Sequence, residues 1–141
     1  MNSTLTLTEA ERELMATRDT PMISVVDDDE SSRRSIRNFL RSVGFRVQVF
    51  ASAEEFLTSP RPGTTGCLVL DLRMTGMSGL DLLRYLAATK VHVPTVILTA
   101  HGDEEARQQC LRAGAVAFLV KPFRSDALLD AVHTALRLTG E

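Results

Sequence analysis

From Met22 onward the chain alternates short apolar runs with stretches whose apolar residues recur at helical spacing. Five apolar runs read as strands, over residues 22–27, 46–50, 67–71, 95–99 and 117–120. After the first run, Ile36, Phe39, Leu40 and Val43 fit one helix face, and Gly44 stops that helix. After the second, Ser52 is a good cap ahead of Glu54 and Glu55, and Ser59-Pro60-Arg61-Pro62-Gly63 forces a loop. The third run leads through a loop holding Gly76 and Gly79 into a helix of Leu80, Leu83, Leu86 and Ala87. A fourth helix is expected over about 103–113, ending at Gly114. The last is expected over about 125–138, burying Leu128, Ala131, Val132, Ala135 and Leu136. Repeated βα units of this kind predict an α/β fold: five parallel strands with five helices covering both faces.

Residues 1–20 are polar and rich in Thr, and Thr8-Glu9-Ala10-Glu11 offers the Thr and Glu of a capping box for a short helix. We therefore expect an extension over 1–20, one domain over 21–138 and a tail over 139–141, with no effector domain following. At 141 residues and 44% hydrophobic content, one domain with a proper core fits and a second large one does not. A net charge of −2 supplies no chain-wide basic field, so direct nucleic-acid binding by this chain is disfavoured. Arg33, Arg34, Arg37 and Arg41 lie mainly opposite the apolar side of the first helix, as a solvated face or a basic docking face. Cys67 and Cys110 lack metal-ligand spacing and read as reduced core thiols. His92, His101 and His133 share no metal-site spacing and read as surface or capping residues. With no apolar run near the roughly 20 residues of a membrane helix, and no signal-peptide core, a soluble cytoplasmic protein is expected.

The chemistry collects at the strand ends. The first run ends in Asp27-Asp28, the third in Asp71 and the fifth in Lys121, while Thr99-Ala100 closes the fourth. Parallel strands deliver such residues to one edge, where ligands of open α/β sheets bind. Three carboxylates gathered there require a cation, and a hard oxygen set suits Mg²⁺, with Asp28 and Asp71 as ligands and Asp27 holding a water. Lys121, one of only two lysines, adds a fixed positive charge. The free oxygen of Asp71 can then attack phosphorus, and the Thr99 hydroxyl can donate to a phosphoryl oxygen. Such contacts would draw Thr99 inward and let Phe118 rotate into the vacated space, although Phe118 is equally suited to the core.

This constellation resembles the receiver domain of bacterial two-component response regulators, over about residues 22–138. Val25-Val26-Asp27-Asp28-Asp29-Glu30 is similar to the acidic pocket, and Leu70-Asp71-Leu72-Arg73-Met74 with Met77-Ser78-Gly79 to the phosphoacceptor segment. Leu98-Thr99-Ala100 and Val120-Lys121-Pro122-Phe123 match the remaining motifs. The resemblance implies a flavodoxin-like, doubly wound sheet in the order 2-1-3-4-5 and a cis Lys121-Pro122 peptide. It makes Asp71 the phosphoacceptor, and gives Asp27, Asp28, Asp71 and the Arg73 backbone carbonyl to the metal. Thr99 and Lys121 contact the phosphoryl group. It further implies a sensor histidine kinase as donor, and a switch that catalyses its own phosphorylation rather than turning over a substrate. The nearest flavour is the nitrogen-fixation type, which often precedes a LuxR-like DNA-binding domain and dimerises through the fourth helix and fifth strand. Phe118 stands where chemotaxis-type receivers carry a tyrosine, and Arg73, two residues past the acceptor, bears on water access. Two rivals stand beside this reading: a phosphorylation-independent interaction module of the same fold, and an aspartate-nucleophile phosphohydrolase. The latter usually needs a second acid where this chain has Arg73.

Overall fold

The computed structural model describes residues 8–9, 21–59 and 64–139, so the capping box at 8–11 lies mostly outside the described residues. From Met22 to Thr139, five strands and five helices alternate among the described residues: β1 (Met22–Val26), α1 (Glu30–Ser42), β2 (Arg46–Phe50), α2 (Ala53–Leu57), β3 (Cys67–Asp71), α3 (Gly79–Ala88), β4 (Thr95–Thr99), α4 (Glu104–Arg112), β5 (Ala117–Val120) and α5 (Ser125–Thr139). All strand pairs are parallel, and the sheet order is β2-β1-β3-β4-β5.

Period-two alternation divides the core into two layers. Ile23, Val25, Cys67, Val69, Val96 and Leu98 face Ile36 and Leu40 of α1 and Leu128, Val132 and Ala135 of α5. Val26, Leu68, Leu70 and Ile97 face Phe56 of α2, Leu82, Leu83 and Leu86 of α3 and Cys110 of α4. The central strands β3 and β4 are buried at every position, which is why residues 67–70 and 96–98 run continuously apolar rather than alternating. Both cysteines are buried free thiols, and burial pushes the Cys67 thiol up to about 12.

Local chemistry sets the helix boundaries. Asp29, Ser52 and Asp103 accept backbone N–H bonds as N-caps of α1, α2 and α4, and Ser78 forms a reciprocal capping box with Asp81 on α3. Gly44 follows α1 at φ +104°, a left-handed conformation that a side chain would resist, and donates to the Arg41 carbonyl at 3.0 Å. Four boundaries differ by one residue from the sequence expectation. β1 stops at Val26 because Asp27, although its N–H still reaches Phe50 O at 3.1 Å, turns to accept the Asp29 N–H on Oδ1 at 2.9 Å. α4 is shorter at each end because Asp103 and Ala113 serve as its caps. α5 runs one residue further, to Thr139. Among the described residues no helix is long and apolar enough to cross a membrane.

Candidate functional site

Register builds the site. Val26 pairs with Leu70, so Asp27 and Asp71 leave adjacent central strands at the same level. Asp28 follows on the β1–α1 turn, and oxygen atoms of all three carboxylates lie within 4.8 Å of one another. Asp27 is 1% exposed and Asp71 8%, whereas Asp28 is open to solvent. Lys121, one residue beyond β5, reaches across the edge to place Nζ 3.1 Å from Asp27 Oδ2. The Lys121-Pro122 peptide is cis.

The charges do not balance: three acids face one lysine. Asp71 accordingly stands at a pKa of about 6, raised first by burial and then by the charge of Asp27, against an opposing pull from Lys121. A hydrogen bond with Asp27 and the charge of Asp28 raise it further. A group with hard oxygen ligands, two of them buried, and one compensating cation fits a divalent metal: the donor set is all-carboxylate and the local charge deficit is real. The Arg73 carbonyl belongs to the loop directly after β3, beside these acids in the chain.

Thr99 closes β4 and is fully buried, but its hydroxyl is engaged within its own loop. Oγ1 accepts the His101 N–H at 3.1 Å and donates to the His101 carbonyl at 3.3 Å. Phe118 is half-buried at the margin of the second core layer. The three histidines are exposed, with His133 edge-on to Phe45.

Several participants escaped sequence reasoning. Ser32 Oγ is the second acceptor for Lys121 Nζ, at 3.1 Å, and lies one helical turn beyond Asp28, a proximity that could have been noticed. Arg33 is not simply part of a solvated face: it is half-buried and donates to the Asp27 carbonyl at 2.7 Å, bracing the β1 terminus. Arg34 and Arg41 do lie outward. The 72–78 loop is closed at its base by Gly79 N–H on Leu72 O at 2.8 Å. A Cβ on Gly79 would come within 2.5 Å of the Asp71 carbonyl, so only glycine lets α3 start this close to the strand end.

The family model for the response regulator receiver domain matches residues 23–133. The chain belongs to the response regulator receiver domain family. It is 49% identical over 114 residues to nodulation protein W of Bradyrhizobium diazoefficiens, covering 81% of this chain and 50% of the relative. It is 40% identical over 113 residues to the transcriptional regulatory protein FixJ of Rhizobium meliloti, covering 80% and 55%. Among solved structures, the response regulator StyR matches with a TM-score of 0.79 and 50% identity, over 84% of this chain and 60% of that one. The chain thus spans about half the length of the curated relatives it matches. The relatives place it with the nitrogen-fixation type of receiver, as its motifs suggested, and receivers of this family are signalling switches rather than conventional enzymes.

Proposed function

We propose that this receiver takes a phosphoryl group onto Asp71 from a phosphohistidine of a sensor histidine kinase, using Mg²⁺ held by Asp27, Asp28, Asp71 and the Arg73 backbone carbonyl. The observation that carries this reading is the acid trio at the sheet edge with Lys121 already drawn in. Bound there, Mg²⁺ would supply the missing positive charge and favour ionised Asp71.

The chain's own residues do the rest. An ionised Asp71 oxygen attacks phosphorus; the oxygen–phosphorus bond forms as the phosphorus–nitrogen bond breaks, and the electron pair leaves with the donor imidazole. Lys121 neutralises the phosphoryl charge, which requires it to share or leave its present bond to Asp27. Thr99 donates its hydroxyl to a phosphoryl oxygen, giving up its donation to the His101 carbonyl. That exchange turns a local event into a conformational one, because the β4–α4 loop loses its internal tie while Phe118 lies half-buried on the next strand. Arg73, exposed beside the site, bears on water access and so on the phosphate's lifetime.

The surface of α4 and β5, where Val120 is a partly exposed apolar side chain, is the proposed face for phosphorylation-dependent self-association. In a longer regulator the switch would govern transcription from the cytoplasm, with residues 21–138 as the receiver unit, 1–20 as an extension and 139–141 as a tail. The test is incorporation of acid-labile, hydroxylamine-sensitive phosphate from acetyl phosphate. Wild type should label only with Mg²⁺ and Asp71→Asn should not label; stoichiometric labelling of the variant would refute the assignment.

A further inference from the structure

Beyond its base and the packing of Met74 and Met77 on the core, the tip of the 72–78 loop is fastened by two backbone-to-carboxylate hydrogen bonds. Thr75 N–H donates to Asp28 Oδ2 at 3.3 Å, and Met77 N–H donates to Glu54 Oε2 at 3.1 Å. The two fastenings are unequal in kind. Asp28 belongs to the acid trio and is needed elsewhere once a cation is held. Glu54 lies in the first turn of α2, outside the trio, and is free to keep its bond throughout. Between the two anchored amides, Gly76 takes φ +84°, and a Cβ there would meet Glu54 Oε2 at 3.0 Å. The loop is therefore shaped to press its backbone against this one carboxylate.

We propose that Glu54 is a positioning residue: by accepting the Met77 N–H it holds the loop whose Arg73 carbonyl is the proposed backbone ligand, and so sets Mg²⁺ affinity without touching the ion. This rests on the proposed function above. When Asp28 turns from Thr75 to a cation, the Glu54 bond is the hydrogen bond that still fixes the loop tip among the described residues, beside the packing of Met74 and Met77 on the core. Its loss would let the carbonyl drift, and a backbone ligand held loosely binds less well.

The experiment uses the intact chain, Glu54→Ala and Glu54→Gln, with Mg²⁺ affinity by isothermal titration and amide exchange at Met77 without metal. Glu54 is exposed, so both variants should fold; thermal melts check this. Gln keeps an acceptor oxygen while losing the charge, so it separates hydrogen bonding from long-range attraction. The expected result is Mg²⁺ binding about three- to tenfold weaker in Glu54→Ala, faster Met77 exchange in the same variant, and near-wild-type behaviour in Glu54→Gln. Unchanged affinity in Glu54→Ala, or equal weakening in both variants, would overturn the proposal. Failure of the wild type itself to bind Mg²⁺ would instead overturn the reading of the acid trio.

Discussion

Two buried polar clusters sit on the same sheet, and they differ in what they leave unfinished. Toward the start of β1, Ser24 Oγ lies 2.6 Å from Thr65 Oγ1 and accepts from Gln48 Nε2 at 2.9 Å, a neutral group closed on itself. At the end of the same strand, Asp27 and Asp71 are nearly as deep, yet they carry charge, crowd Asp28 and share a single lysine. The first cluster satisfies its own members and holds β1, β2 and the entry to β3 in register. The second satisfies its hydrogen bonds but not its electrostatics, and the Asp71 pKa is raised first by burial and then by the charge of Asp27. Hydrogen-bond completeness therefore does not distinguish structural from functional polarity here, since no buried side-chain polar atom among the described residues is orphaned. Net charge does.

The largest expected effect separates the clusters by activity. Asp28→Asn should lower Mg²⁺-dependent phosphorylation from acetyl phosphate by about 100-fold or more, since it would remove a proposed direct ligand, while Ser24→Ala should label at the wild-type rate. Comparable loss in both would erase the distinction. Next in size is Lys121→Met, which strands the buried Asp27 carboxylate. Without metal it should cost about 2 to 3 kcal/mol in urea unfolding, less than a fully enclosed pair because Lys121 is partly exposed. Saturating Mg²⁺ should return part of that stability, which no purely structural ion pair would do.

The pH dependence is smaller and has a definite sign. Asp71 has a folded pKa of about 6 against an ordinary carboxylate value near 4, so between those limits the folded state holds more protons than the unfolded one. Metal-free stability should therefore fall as pH rises from about 4 through about 6, by no more than about 2 kcal/mol given partial solvent screening. Asp71→Asn should flatten this slope and be the more stable protein at neutral pH. A wild-type curve that rises through that window would contradict the crowded-acid account. The smallest effect belongs to the neutral cluster: Ser24→Ala should cost about 1 to 2 kcal/mol by leaving Thr65 and Gln48 to find new partners, with no dependence on Mg²⁺.

Much of this was legible in the chain. Residues 67–70 and 96–98 are apolar throughout because both sheet faces are covered, and the polar residues Asp71 and Thr99 close those runs. The site acids and Lys121 were legible because each closes a run, and parallel register brings strand ends together. The chain did not disclose where side chains point once they arrive. Nothing in Leu98-Thr99-Ala100-His101 says that the Thr99 hydroxyl bonds the backbone two residues on, and nothing local says that Lys121 divides its bonds between Asp27 and Ser32. Glu54 was read only as an acid near a helix start, since its Met77 contact spans 23 residues and depends on the tertiary approach of two loops.

The central claim is that the acid trio is a divalent-metal site, and a Mg²⁺ titration followed by backbone amide NMR tests it most directly. The account predicts one saturable site, with the largest shifts at Asp27, Asp28, Asp71 and along 72–78, and only small changes around Ser24, Gln48 and Thr65. An unresponsive spectrum, or shifts centred away from the sheet's carboxyl edge, would contradict it.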